Sequence, residues 1–155
     1  MLISMSLETR IMEDIKSAML SKDTLRLEVC RSIKSAILLL KTGRDSEDLT
    51  EEKEIEILQK LLKQRQDSAK IYLEQKRLDL AKHEEGQARI ISSYLPTPYS
   101  HKELEELIDL LMVELNINSM KDMGRLIASA ISRAKGRSDG KTISTIVKKK
   151  LTPPS

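Results

Sequence analysis

Tryptophan and phenylalanine are absent from this chain, and only three tyrosines occur in 155 residues. A core without large rings must be assembled from Leu, Ile, Val, Met and Ala. Glycine (five) and proline (four) are also scarce, which removes the turn residues that a many-stranded β protein needs. The single cysteine, Cys30, excludes an internal disulfide. It stands among apolar residues in a helical pattern, so it reads as a buried, inert thiol in a reducing cytoplasm. No apolar run reaches the length of a membrane-spanning helix. The start, Met1 to Ser6, lacks a basic segment followed by an apolar one and is not Arg-rich. The expectation is a cytoplasmic protein with no membrane role.

Chemistry is as sparse as aromatics. His83 and His101 lie far apart, with no Cys or His at ligand spacing, so no metal site is expected. G-x-S-x-G, G-x-G-x-x-G and Cys/His pairs are missing. Asp67-Ser68 has no histidine placed to serve it as a base. The expected catalytic residues, metals and cofactors are therefore none.

What is present is charge and helical periodicity. Charged residues make up 33% of the chain, with a net charge of +3. Apolar spacing predicts a helix over Leu7–Leu20, capped by Ser6, with Leu7, Ile11, Ile15, Ala18 and Met19 inward. A second helix spans Thr24–Lys41 behind Asp23. Val29, Cys30, Ile33, Ala36, Ile37 and Leu40 face inward, and the Ile37–Leu40 end is greasy enough to be covered by another helix or subunit. A polar loop, 42–49, follows, with Gly43 ending the helix. A long helix after Thr50 runs to about Lys76, with Ile55, Leu58, Leu61, Leu62, Arg65, Ala69, Tyr72 and Leu73 on its stripe. Arg65 in that stripe needs a carboxylate from another helix. A fourth helix, capped by Asp79, covers Leu80–Leu95.

The two prolines of Leu95-Pro96-Thr97-Pro98 stop that helix. The boundary proposed there gives an N-terminal region, 1–95, with 17 basic and 17 acidic residues, and a C-terminal domain, 96–155. Ser100 and Glu103 form a capping box for a helix over His101–Leu115. Two further helices are Met120–Ala134 and Gly140–Leu151. The first carries Met123, Leu126, Ile127, Ala130 and Ile131 at helical spacing. The second carries Ile143, Ile146, Val147 and Leu151 on one face. The fold class is all-α: an N-terminal multi-helix region, then a small three-helix domain.

Charge is segregated in the C-terminal part. Residues 96–119 hold one Lys against five acids, while nine Lys/Arg stand against two Asp/Glu from Lys121 onward, a local +7. The loop Lys135-Gly136-Arg137-Ser138-Asp139-Gly140-Lys141 lies within that basic run. Glycine lets backbone amides approach a ligand, and the helix after Asp139 presents a positive end, which suits phosphate. The same residues also serve as an ordinary connector, with Gly136 as C-cap, Asp139 as N-cap and solvated lysines. Gly136–Thr142 is one residue too short for the phosphate-binding loop of nucleotide hydrolases, and it follows a helix where that motif follows a strand.

Several stretches carry a family resemblance. They are Arg26-Leu27 with Arg31–Ile37; Leu62–Ser68; Arg77–Leu80; Tyr94-Leu95-Pro96; Lys121–Gly124; and Lys135–Lys141. On these the chain resembles the YqeY family, whose C-terminal part is similar to the tail domain of the glutamine-dependent aspartyl/glutamyl-tRNA amidotransferase. The resemblance implies an all-helical, two-part fold and contact with tRNA. It also implies the family's label, a carbon–nitrogen ligase with glutamine as amido donor. This chain is too short for the ATP-binding domain and lacks a glutaminase site, so it is not expected to make that bond alone. The resulting expectation is an accessory protein that binds tRNA or structured RNA, with the amidotransferase complex as a candidate partner. Lys135, Arg137 and Lys141 would meet phosphates, backed by Arg133 and Lys148, and Gly136 and Gly140 would permit close approach. The alternative is a protein-interaction module or homodimer with no RNA role.

Overall fold

The computed structural model describes residues 5–45 and 48–154. The leader reading at 1–4 and the middle of the 42–49 loop, 46–47, lie outside them. Among the described residues every regular element is helical: α1 Leu7–Ser21, α2 Thr24–Thr42, α3 Glu51–Glu74, α4 Leu78–Ser92, α5 His101–Glu114, α6 Met123–Ala134 and α7 Gly140–Leu151. A 3₁₀ turn, Met120–Asp122, leads into α6. None of the described helices is long and apolar enough to cross a membrane.

Local chemistry explains most of the helix starts. The Ser6 hydroxyl accepts from the Thr9 amide at 3.2 Å, Asp23 from the Arg26 amide at 3.1 Å, and Thr50 from the Lys53 amide at 3.2 Å. These side chains satisfy amides that have no intrahelical acceptor. The Ser100–Glu103 capping box is present in both directions, at 3.0 and 3.1 Å. The expected cap at Asp79 is corrected: α4 begins at Leu78 behind Arg77, with no side-chain cap. Asp79 lies in the first turn, where a carboxylate is favoured by the same positive helix end that favours it at the cap. Gly43 ends α2 in an extended conformation, φ −70°. A Cβ there would sit 2.6 Å from the Leu39 carbonyl oxygen, so close approach is what calls for glycine.

The chain divides into two compact units, one up to Leu95 and the other from Pro96. In the first, α1 packs on α2 and α3 on α4. Its core is Leu7, Ile11, Val29, Cys30, Ile33, Ile37, Leu58, Ile91 and Tyr94. Met19 and Leu73, expected inside, are exposed. At the greasy end of α2, Ile37 is buried, whereas Leu38 and Leu39 are 56% and 72% exposed.

The polar contacts that join helices of this unit include two at buried or half-buried side chains. The Arg65 guanidinium on α3 meets Glu84 of α4 at 2.8 Å and Gln87 at 3.3 Å. This is the carboxylate that its place in the apolar stripe demands. The Tyr94 hydroxyl donates to Asp14 of α1 and lies 3.3 Å from the Cys30 sulfur of α2. Burial pushes both Tyr94 and Cys30 above their ordinary pKa ranges, so both stay protonated at neutral pH.

In the second unit, Leu104, Ile108, Leu111, Ile117, Leu126, Ala130, Ala134, Ile143, Ile146, Val147 and Leu151 form the core. The inward face of α7 is as its spacing predicts. On α6, Ile131 is exposed and Ala134 is buried in its place.

Glu84→Ala removes the carboxylate from the Arg65 guanidinium and leaves it the neutral Gln87 acceptor. The Glu84 and Arg65 side chains are 12% and 32% exposed, so the expected cost is about 1–2 kcal/mol, less than for a fully buried pair. Glu84→Gln keeps an acceptor and costs less. Urea denaturation of the parent and both variants checks this, and a Glu84→Ala midpoint equal to the parent's would show that the pair contributes nothing.

Candidate nucleic-acid interface

The basic loop is built by two consecutive left-handed residues. Lys135 (φ 47°, ψ 48°) ends α6, and Gly136 follows at φ 79°. The chain reverses there, and the Arg137 amide donates back to the Ala134 carbonyl at 3.0 Å. Gly136 is demanded by its backbone angle. Gly140 is not: a Cβ at that position would make an ordinary 3.6 Å contact with Ile131. Asp139 starts α7 by accepting from the Thr142 amide at 2.7 Å. Its hydrogen bonds to Thr142 hold its carboxyl below the ordinary range. Glu103 is lowered by its backbone and side-chain hydrogen bonds to Ser100.

Arg137 is committed inside the unit. Its Nε donates to the Thr97 carbonyl at 2.7 Å. The guanidinium carbon lies 3.9 Å from the centroid of the Tyr99 ring, a stacked cation–π contact. Its carbonyl accepts from the Tyr99 amide at 2.8 Å. Arg137 thus anchors the loop to the segment that follows Pro96. Arg133 pairs with Glu114 at 3.2 Å, and Lys150 with Asp109 at 2.7 Å.

Of the expected contact residues, Lys135, Lys141 and Lys148 are exposed and make no ion pair among the described residues. The charged neighbour of Lys141 is the capping Asp139. Lys148 does not back the loop, because it lies about two turns, roughly 12 Å, along α7 from Gly140. It shares a face with Lys141 instead. With Ile143, Ile146, Val147 and Leu151 buried, positions 141, 145 and 148 point outward at i, i+4 and i+7. Lys149 stands beside them, exposed and without an ion pair among the described residues. It was not among the expected site residues, although subtracting the apolar face of the helix identifies it. Lys121 and Arg125, also exposed and without ion pairs there, extend the basic surface to the start of α6.

This arrangement can hold a polyanion by point charges and by the first amides of α7. It offers no flat aromatic platform, since one face of Tyr99 is covered by Arg137. Among the described residues no group of three or more His, Cys, Asp or Glu is placed to hold a metal ion.

The sequence model of the YqeY-like protein family matches residues 8–151. A relative from Lachancea thermotolerans is 34% identical over 106 residues, 66% of this chain and 56% of that protein. One from Clavispora lusitaniae is 35% identical over 108 residues, 68% and 62% of the two chains, and one from Kluyveromyces lactis is 31% identical over 106 residues, 66% and 57%. All three are called "Altered inheritance of mitochondria protein 41, mitochondrial". The chain spans little more than half the length of these curated relatives. Their names overturn the expectation of a cytoplasmic protein. That expectation rested on a reduced cysteine, which suits any reducing compartment, and on the first few residues.

Arg137→Lys keeps the charge and loses the planar stack and the Nε–H donor. It is expected to lower stability by about 1 kcal/mol, read as a lower urea midpoint; an unchanged midpoint would remove the anchoring role. Asp139→Ala is expected to cost about 1 kcal/mol at neutral pH through loss of the cap. Because the folded pKa is lowered, the charged cap contributes fully above about pH 4 and fades as pH falls through the lower folded value. The gap between parent and Asp139→Asn should shift over that acid range, measured by denaturation as a function of pH.

Proposed function

Because the chain belongs to the YqeY-like protein family, we propose that its C-terminal unit binds structured RNA, with tRNA as the representative ligand, through the outward face of α7 and the adjoining loop. The observation that carries this reading is the set of four exposed lysines, Lys135, Lys141, Lys148 and Lys149, that make no ion pair among the described residues, while Arg133, Arg137 and Lys150 next to them are engaged. Clustered like charges repel one another, and a phosphate backbone relieves that repulsion while releasing its counterions.

Lysines on phosphates set position and carry no base information. Selectivity then comes from the shape of a folded RNA. The missing stacking platforms disfavour single strands. The similarity to the amidotransferase tail domain supports tRNA as the class and an accessory role beside that enzyme. The carbon–nitrogen ligase label belongs, in this reading, to an assembly larger than this chain. The mitochondrial names of the relatives extend to this chain as part of the same proposal.

The test is a tRNA titration across salt concentrations. With four phosphate contacts, log Kd against log salt should have a slope of roughly 3 in magnitude. The Lys135/Lys141/Lys148 triple alanine variant should lose most of the affinity and most of the slope, with its helical circular dichroism unchanged. No binding at low salt, or full binding by the variant, overturns the assignment.

A further inference from the structure

The first unit carries a recess of about 170 Å³ between α1 and α2, lined by Glu8, Ile11, Met12, Lys34, Ile37, Leu38, Lys41 and Thr42. Ile11 and Ile37 form its buried floor, and Met12 and Leu38 stand on its rims 58% and 56% exposed. Helical periodicity continues the same faces to Met19 on α1 and to Arg31 on α2. We propose that this groove takes an amphipathic helix of a partner protein, with an apolar stripe flanked by Asp and Glu.

Charge complementarity selects that partner. At one end Lys41 is paired with Glu8 at 3.0 Å. Along the α2 wall Lys34 and Arg31 are exposed and make no ion pair among the described residues, and Lys16 stands one turn from Met12 on α1. The wall is therefore apolar at its base and cationic at its lip. A second copy of this chain does not match it: in a twofold pair the patch meets itself, and the carboxylate in its lining, Glu8, is already paired with Lys41, leaving no partner for Arg31 and Lys34. A bilayer does not match it either, because the apolar floor is recessed, and a membrane takes a protruding apolar face. The partner segment is helical because both groove walls are helices whose backbone groups are already bonded. An extended peptide would find no backbone partners there, whereas a helix satisfies its own. Methionine on the rim adapts to the side chain that enters.

This surface lies in the unit that does not carry the RNA face, so the two readings fail separately. The probe is a synthetic helical peptide of about 18 residues with a leucine stripe and glutamate flanks. Its comparator has lysine flanks. Labelled methionine methyl groups report the site by NMR. The Met12 and Met19 methyls should shift, and those of Met112, Met120 and Met123 should not. The glutamate peptide should bind at least about tenfold more tightly than the lysine peptide, and an Arg31→Glu/Lys34→Glu variant should reverse that order. The variant should titrate tRNA like the parent. Equal binding of both peptides, or shifts confined to the other methionines, overturns the proposal. So do Met12 and Met19 shifts produced by protein concentration or by anionic vesicles in place of the glutamate peptide.

Discussion

Aliphatic side chains attract without direction, so a core made almost entirely of them leaves helix register underdetermined. In this protein a few polar contacts supply the missing direction. Arg65 reaches Glu84 and Gln87 across α3 and α4. Tyr94 draws α1 and α2 together at Asp14 and Cys30. Arg137 ties the loop before α7 to Thr97 and Tyr99. The first two use groups that would be costly to bury alone, and the third adds a stacked guanidinium at a half-buried position. Each therefore penalises slipped packings that the aliphatic core would tolerate.

The same economy shapes the basic surface. The acidic α5 takes up part of the positive charge of the last two helices, through Glu114 to Arg133 and Asp109 to Lys150. The remaining lysines gather on the outward face of α7 and on the loop. A face of this kind, charged without an apolar centre, suits a solvated polyanion more than a protein core. The α1–α2 groove has the opposite make-up, an apolar floor with a few cations at its lip. Two surfaces so unlike in chemistry suit two unlike ligands.

Helix identity was legible because it is a short-range property. Ser6, Asp23, Thr50, Ser100 and Asp139 cap amides within three residues of themselves. The buried side of α7 follows from a 3.6-residue period alone. Asp79 misled because a first-turn carboxylate and a cap look alike in sequence. Met19, Leu73 and Ile131 were placed inside because they continue an apolar stripe, yet whether a stripe ends in core or in water depends on how far the neighbouring helix extends.

The candidate site was half legible for the same reason. Composition and spacing located the basic run, a glycine at the end of α6 and the cap at Asp139; that the C-cap of α6 falls one residue earlier, at Lys135, came from the backbone angles. Composition and spacing could not say which cations are free. Arg137 looked like a phosphate ligand until its partner at Thr97, 40 residues away, was brought to it by folding. Lys148 looked like a neighbour of the loop but belongs with Lys141 and Lys149 on one helix face. Charge and periodicity are written in adjacent residues. Whether a charge remains available is settled by segments distant in the chain, and those meet only when the helices pack.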